Sequence, residues 1–538
     1  MIRGVLKTKD YAHFELWASE PIAAAPTITF TATSPEKTGR AFPGDTVAWD
    51  TEKECVVEVL SRAAGTTPIF LIGTLELAAK VRYGMTSRGA PIYRFSPYNA
   101  SYPPFFVGCS QKDVTKNMLA KIQTDSWPAD STCPRGILVQ TFGQAGDLAA
   151  EEEALLAHYS PVRWTTRLFR EHSVVPPAGP APAEPIPAFH VDPPGCRDID
   201  DAISIEPDPA DLGGSRLKIG IHIADVASWL GTNPWLGGLA EKIGGTLYKD
   251  GEPVRPMFPA ELSEGLFSLL PGQERQAVSL FFSWSEEGGA NLAQATWAQT
   301  RIRVSESYTY DSILSSPRAA QLRPLCSSLA ERELTDSHEW IEQLMLLYNR
   351  TAAELLVSKA ADVPAAILRR HVGPDQERLE ALKGIGADVT HLAMRAGEYI
   401  EVGATDTTFH WGLQARAYCH ASSPIRRWAD CVNQMCLLST LGLPLAPPLA
   451  DVHTLNARSK EDKRYERDIT FLRALIGPAA PKTIDAVVVD SKRIWVPAWN
   501  RLHKLEVAEP PGTRLTLKVF CDPSKRNWKG RLVLSILV

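Results

Sequence analysis

At 538 residues, 44% apolar and 22% charged, the chain is too long for one ordinary core and has the composition of a multidomain globular protein. No uninterrupted apolar run approaches the ~20 residues that span a bilayer, so no transmembrane helix and no membrane partner are expected. The start, MIRGVLKTKDYAHFELW, has neither an apolar signal core nor an Arg/Ser-rich presequence, and the nine cysteines form no CxxC pair. Those features argue against a disulfide framework and a zinc site and for a reducing compartment, the cytoplasm first and a mitochondrion second.

Residues 1 to about 150 read as β-rich. Short β-branched or aromatic runs (TITFTAT, DTVAW, CVVEVL, PIFLIGTLEL) alternate with Gly, Pro and Asp. The spacing suits two successive small barrels of the OB type, over 1–65 and 66–150. From Asp147 to Tyr159 the pattern predicts an amphipathic helix with an acidic start. Residues 174–189, VVPPAGPAPAEPIPAF, form an extended Pro/Ala tether into the main domain. That domain, 151–475, mixes strands and helices, and its clearest helix is 336–359, with apolar residues three and four apart. Strand patterns return in IDAVVV, RIWVPAW, RLTLKVF and GRLVLSILV, which predicts a closing OB-type barrel over 480–538. The expected class is therefore multidomain α+β: two N-terminal OB-type barrels, a central mixed α/β domain and a C-terminal OB-type barrel.

Net charge is −5, a weak argument against a nucleic-acid binder, but residues 481–538 hold 11 Lys/Arg against 5 Asp/Glu. A basic end on an acidic body is a candidate footprint for a phosphate backbone. Trp495, Trp499 and Trp528 lie there among Lys492, Arg493, Arg501, Lys525, Arg526 and Lys529. Aromatics mixed with cations suit single-stranded nucleic acid, and a barrel with core tryptophans is the plainer alternative.

The densest chemistry is HVDPPGCRDIDDAISIEP (190–207), which sets Asp192, Asp198, Asp200 and Asp201 within ten positions. Adjacent carboxylates repel and aspartate is depleted in strands. An acidic turn would explain a bare DxDD, but FHV before it and AISI after it tie these side chains to buried structure. Hard cations such as Mg²⁺ prefer carboxylate oxygens, and two of them ~4 Å apart can bracket a phosphodiester for attack by water.

This string resembles the signature of the RNB domain, the catalytic domain shared by ribonuclease II, RNase R and the catalytic subunit of the eukaryotic exosome. All four of that family's aspartates stand here at its offsets of zero, six, eight and nine. HIADVASWL (222–230) resembles the family's next strand and helix start. A second block, HWGLQARAYCHASSPIRRWAD (410–430), is similar to its Ser-Pro-Ile-Arg-Arg run, with Ala421-Ser422 in place of Phe-Thr and Gln434 where many members carry His. A third, LYKDGEPVRPMFPAELSEGLFSLLPGQERQAVS (247–279), resembles the Tyr loop and its Met-x-Pro-x-x-Leu-Ser sequel. The resemblance covers nearly the whole chain, and KVFCDPSKRNWKGRLVLSI is closer to the eukaryotic members.

The resemblance implies a 3′-to-5′ exoribonuclease that hydrolyses single-stranded RNA processively to 5′-mononucleotides with two Mg²⁺ ions, Mn²⁺ being a possible substitute. Asp192, Asp198, Asp200 and Asp201 would be the metal ligands and Asp200 the most critical of them. Arg426 would hold the scissile or terminal phosphate, and Tyr248 would stack on the 3′-terminal base. Glu466, in KRYERD (463–468), would help product release. His420, Arg427, Lys492, Arg493, Trp495, Lys525 and Arg526 are further candidates for RNA contact. No aspartate-rich endonuclease domain precedes the first barrel, so no exosome tether through one is expected. The rival reading is an RNA-binding or scaffolding protein that kept the fold and lost cleavage. A general phosphodiesterase for small molecules would have no use for the terminal barrels.

Overall fold

The computed structural model describes residues 1–18, 25–65, 67–179, 184–211, 214–403, 408–478, 480–522 and 528–537. It divides into two compact units, residues 1–161 with 464–538, and residues 162–463. Among the described residues no helix is long and apolar enough to cross a membrane.

In the first unit, alternating apolar residues set five strands, Ile2–Thr8, His13–Ala18, Ile28–Thr31, Thr46–Asp50 and Cys55–Ser61. They pair in the order third, second, first, fourth, fifth, around Leu6, Phe14, Leu16, Val47 and Trp49. The same order recurs in Phe70–Leu75, Ile92–Pro97, Phe105–Gly108, Met118–Thr124 and Arg135–Gln144. Here the ring closes, because the third and fifth strands pair in parallel at Phe106 with Arg135 and Val107 with Gly136. Gly73 allows the strands to approach, since a Cβ there would lie 2.2 Å from the Ser96 carbonyl oxygen. The C-terminal strands Thr483–Asp490, Arg493–Val496, Arg501–Lys504, Arg514–Cys521 and Leu532–Ile536 repeat the order a third time. Among the described residues, the first and last of these sheets leave their outer strands unpaired, an open variant of the OB plan.

Asp147 caps helix Leu148–Tyr159 by accepting from the Ala150 N–H, and Ala150 and Ala154 pack the helix on Ile72 and Leu119. This helix also brings Glu151 to Arg531 of the C-terminal sheet, a pair with both side chains 1% exposed. Tyr98 Oη donates to Glu151 at 2.9 Å, and so does the Gly146 N–H. Nearby, Asp468 takes the Tyr159 hydroxyl at 2.7 Å, Lys529 at 2.6 Å and Arg501 at 3.1 Å.

The second unit is built on a closed barrel of Ile186–Val191, Asp201–Pro207, Leu217–Ala224, Glu274–Ser285 and Gly289–Tyr308. Neighbours run antiparallel, and the first strand closes on the last in parallel. Helices Val226–Thr232, Pro234–Ile243, Ser337–Ser358 and Trp428–Thr440 complete its core with the buried rings of Trp340, Tyr348 and Trp428. Trp428–Thr440 is buried from Trp428 through Leu438, so its polar residues need internal partners. Asn433 has them in the N–H and carbonyl of Ile367, and Gln434 in the Ala227 N–H and Ala224 carbonyl.

Candidate active site

The acidic string is the connection between the first two strands of this barrel. Pro193, Pro194 and Gly195 turn the chain, with Gly195 at φ +81°, a region that a residue with a Cβ rarely enters. The chain is then clamped at Ile199, whose N–H donates to Ser268 Oγ at 3.0 Å and whose carbonyl accepts from the Leu269 N–H at 3.1 Å. Buried Ile199 thus holds Asp198 and Asp200 on either side of it, and the Asp200 carbonyl is tied to the Ala224 N–H.

Each carboxylate has its own surroundings. Asp192 accepts from His190 Nδ1 at 2.8 Å, and His190 Nε2 meets Ser307 Oγ at 2.9 Å. The Tyr248 hydroxyl donates to Asp198 in a short hydrogen bond, and the Cys196 thiol lies 3.7 Å from the same carboxylate. Asp200, 5% exposed, accepts from the Ile425 N–H at 2.9 Å and pairs with Arg426 Nε at 3.3 Å. Burial pushes the Asp200 carboxyl up to about 7, with Arg426 and the Ile425 N–H opposing and Asp430 and Asp198 adding to the rise. Asp201 is driven well above the usual carboxylate range by burial and by Asp192 and Asp200, against Arg426. Among the described residues no donor hydrogen bonds to the Asp201 carboxylate.

Like charges crowded into low dielectric call for a cation, and four carboxylates are the donor set that a hard divalent ion selects. That chemistry fits Mg²⁺ or Mn²⁺. Among the described residues no three His, Cys, Asp or Glu side chains stand ready to hold a metal ion, and Asp192, Asp198 and Asp200 are each engaged by protein groups.

The second block meets the first. Arg426, on the turn before helix Trp428–Thr440, reaches Asp200 and donates to Ser423 Oγ at 2.8 Å while its side chain stays 43% exposed. Arg427 is turned to Asp430 at 2.9 Å, and Asp430 is fully buried. His420 takes the Tyr399 hydroxyl at 2.9 Å and lies edge-on to Tyr399 and Tyr418, with burial and the nearby arginines keeping its ring neutral. The replaced residues are accommodated. Ala421 is buried, Ser422 Oγ accepts from Asn349, and Gln434 joins the end of strand Leu217–Ala224 to the helix after it.

The remaining candidates stand elsewhere. Glu466 is exposed on helix Val452–Ile476, in the part that belongs with the OB-type sheets. Trp495 is 5% exposed in the C-terminal core, Arg493 is paired with Asp490, and Lys492 is exposed beside it. Lys525 and Arg526 lie outside the described residues. Sequence reading missed His190, Tyr310 and Asp430. His190 precedes Asp192 by two, which alternation along a strand places on the same face. Tyr310, whose phenol is pushed up to about 12 by burial, Asp201 and Asp192, is more than a hundred positions from them and had no local signal.

Residues 184–318 and 318–442 match the RNB domain family, and residues 92–160 match the Dis3-like cold-shock domain 2. The chain is an RNB-domain protein. The RNB domain begins at the first barrel strand, two residues ahead of Ile186, and carries the acidic string and the Ser-Pro-Ile-Arg-Arg turn together. The chain is 23% identical over 507 residues to "Exosome complex exonuclease RRP44" of Mus musculus, covering 77% of this chain and 52% of that protein. It is 25% identical over 325 residues to "Ribonuclease R" of Chlamydia pneumoniae, covering 47% of each. The chain thus spans about half the length of the curated relatives it matches. Mycoplasma genitalium RNase R, solved in complex with ribose methylated single-stranded RNA, shares the fold at a TM-score of 0.74 and 16% identity over the full length of both chains. Yeast Ssd1, a pseudonuclease, shares it at a TM-score of 0.65 and 16% identity, over 96% of this chain and 80% of that one.

Proposed function

We propose that this RNB-domain protein is a metal-dependent 3′-to-5′ exoribonuclease that hydrolyses single-stranded RNA processively to 5′-mononucleotides. The observation that carries the reading is the carboxylate cluster of buried Asp200 and half-buried Asp198 and Asp201, with Arg426 paired to Asp200 and acting on Asp201. Asp192, Asp198, Asp200 and Asp201 would hold two Mg²⁺ ions, which when bound lower the pKa of water and neutralise the leaving 3′ oxygen. Arg426 leaves Asp200 for the scissile or terminal phosphate, where its planar fork binds two oxygens and offsets the charge that develops in the transition state. Tyr248, tethered by its hydroxyl to Asp198, offers a ring face to the terminal base. Glu466 assists product release.

The second reading is an RNA-binding scaffold without cleavage, and two observations favour it: the fold shared with the Ssd1 pseudonuclease and the engagement of Asp192, Asp198 and Asp200 by protein groups. A time course on 5′-labelled single-stranded RNA with Mg²⁺ separates the two. Progressive shortening from the 3′ end, abolished by EDTA and restored by Mg²⁺ or Mn²⁺, supports the nuclease. RNA that is bound but left intact by the unaltered protein moves the assignment to the scaffold. Cleavage of a circular RNA would contradict an exonuclease that needs a free end.

A further inference from the structure

Around His420 the structure gathers three guanidinium groups, Arg369, Arg426 and Arg427, each close enough to act on its charge. Arg426 is exposed and paired with Asp200, and Arg427 has Asp430. Arg369 differs from both. It sits on strand Ile367–Arg370, 8% exposed, and among the described residues no carboxylate pairs with it. Its Nη1 is buried without an acceptor, and so is Nε of Arg427.

A buried guanidinium without an anion is costly, and this chain avoids that cost at other buried arginines. Arg255, 3% exposed, has Asp462 at 2.7 Å, and Arg531 has Glu151. Of the carboxylates that act on Arg369 and its neighbours, Glu398 is held by Arg370, and Asp430 takes Arg427 and the Ser423 N–H on Oδ1, its Oδ2 being buried without a partner. Arg369 is instead held by its face, with its guanidinium carbon 4.5 Å from the centre of the Tyr399 ring. A face-on contact fixes the plane and leaves the in-plane N–H groups free, the edge with which arginine takes two oxygens of a phosphate.

We infer that Arg369, with the free Nε of Arg427, binds a second backbone phosphate of the RNA, next to the one that Arg426 holds. This rests on the reading that the RNB domain admits RNA, and the test is arranged so that the two can fail separately. The full chain carrying Asp200→Asn serves as a non-cleaving background. Binding of 5′-labelled single-stranded RNA to it is measured over a range of salt, with and without Arg369→Met and Arg369→Lys. The RNA set includes strands in which one linkage near the 3′ end is an uncharged methylphosphonate, moved one step at a time.

Arg369→Met should weaken binding about tenfold and reduce the slope of log affinity against log salt by about one. Arg369→Lys, which keeps the charge and loses the fork, should weaken it less and leave the slope unchanged. At one methylphosphonate position, and not at the others, the unaltered and Met proteins should bind alike. Equal affinities and slopes in folded Met and Lys proteins would overturn the site. So would a loss that is the same at every methylphosphonate position, since a merely structural arginine has no preferred linkage. If the unaltered chain binds RNA without shortening it, the nuclease reading fails while the Arg369 comparison still reads out. If it binds no RNA at all, both fail.

Discussion

The aspartates of the RNB domain lie among one another, with Arg426 as the cation acting on both Asp200 and Asp201. Four cations of the C-terminal region lie on protein carboxylates instead: Arg493 on Asp490, Arg501 and Lys529 on Asp468, Arg531 on Glu151. Both clusters stand out equally in a charge count. The first leaves charge uncompensated and so calls for a ligand from outside, whereas the second spends much of its excess on internal pairs that join segments of the first unit. A surplus of charge is evidence of a binding site only after the internal partners are subtracted, and that subtraction needs the fold.

The sharpest test of the uncompensated cluster is Asp200→Asn. It should lower 3′-end shortening by about 10³-fold or more while single-stranded RNA is still retained, read on the same gel and in a filter-binding assay. Comparable activity in the variant would make the carboxylate cluster a structural feature. On the compensated side, Arg531→Met leaves Glu151 buried without its cation and should cost about 3–5 kcal/mol in denaturant unfolding. Glu151→Met combined with Arg531→Met should recover much of that loss, and failure to recover would mean that the pair does more than neutralise itself. An effect of comparable size is expected at Gln434→Leu, which strands the Ala227 N–H and the Ala224 carbonyl, at about 1–3 kcal/mol for each group. Last, Lys492→Ala should leave the melting temperature alone and lower the salt slope of RNA binding by no more than about one. Trp495→Ala should act in the opposite way, through stability, because its ring is core.

Local pattern carried the sequence reading where function and structure are local. The acidic string is readable because four ligands sit within ten positions, and helices Leu148–Tyr159 and Ser337–Ser358 because their caps, Asp147 and Asp336, directly precede an apolar period. The strand runs and their turns made the OB-type regions legible as a class. What joins distant segments was not readable. Nothing near Ile199 announces that Ser268 will take its N–H, and nothing near Asp200 announces the Ile425 N–H, 225 positions away. Trp495 shows the converse: a tryptophan among cations has the same local signature whether it stacks on a base or fills a core, and only its cross-strand surroundings separate the two.

The open outer strands have a consequence for how the protein behaves when concentrated. A sheet edge with free N–H and carbonyl groups is a template on which another chain can add a strand, and the closed middle barrel offers none. The two open sheets guard their edges differently. Ile28–Thr31 is four residues long, too short to seed extended pairing. Arg501–Lys504 is as short and adds the exposed Lys504, while its Arg501 is turned to Asp468 and burial keeps its His503 neutral. A single lysine at the end of a short strand therefore also serves as a deterrent to self-aggregation.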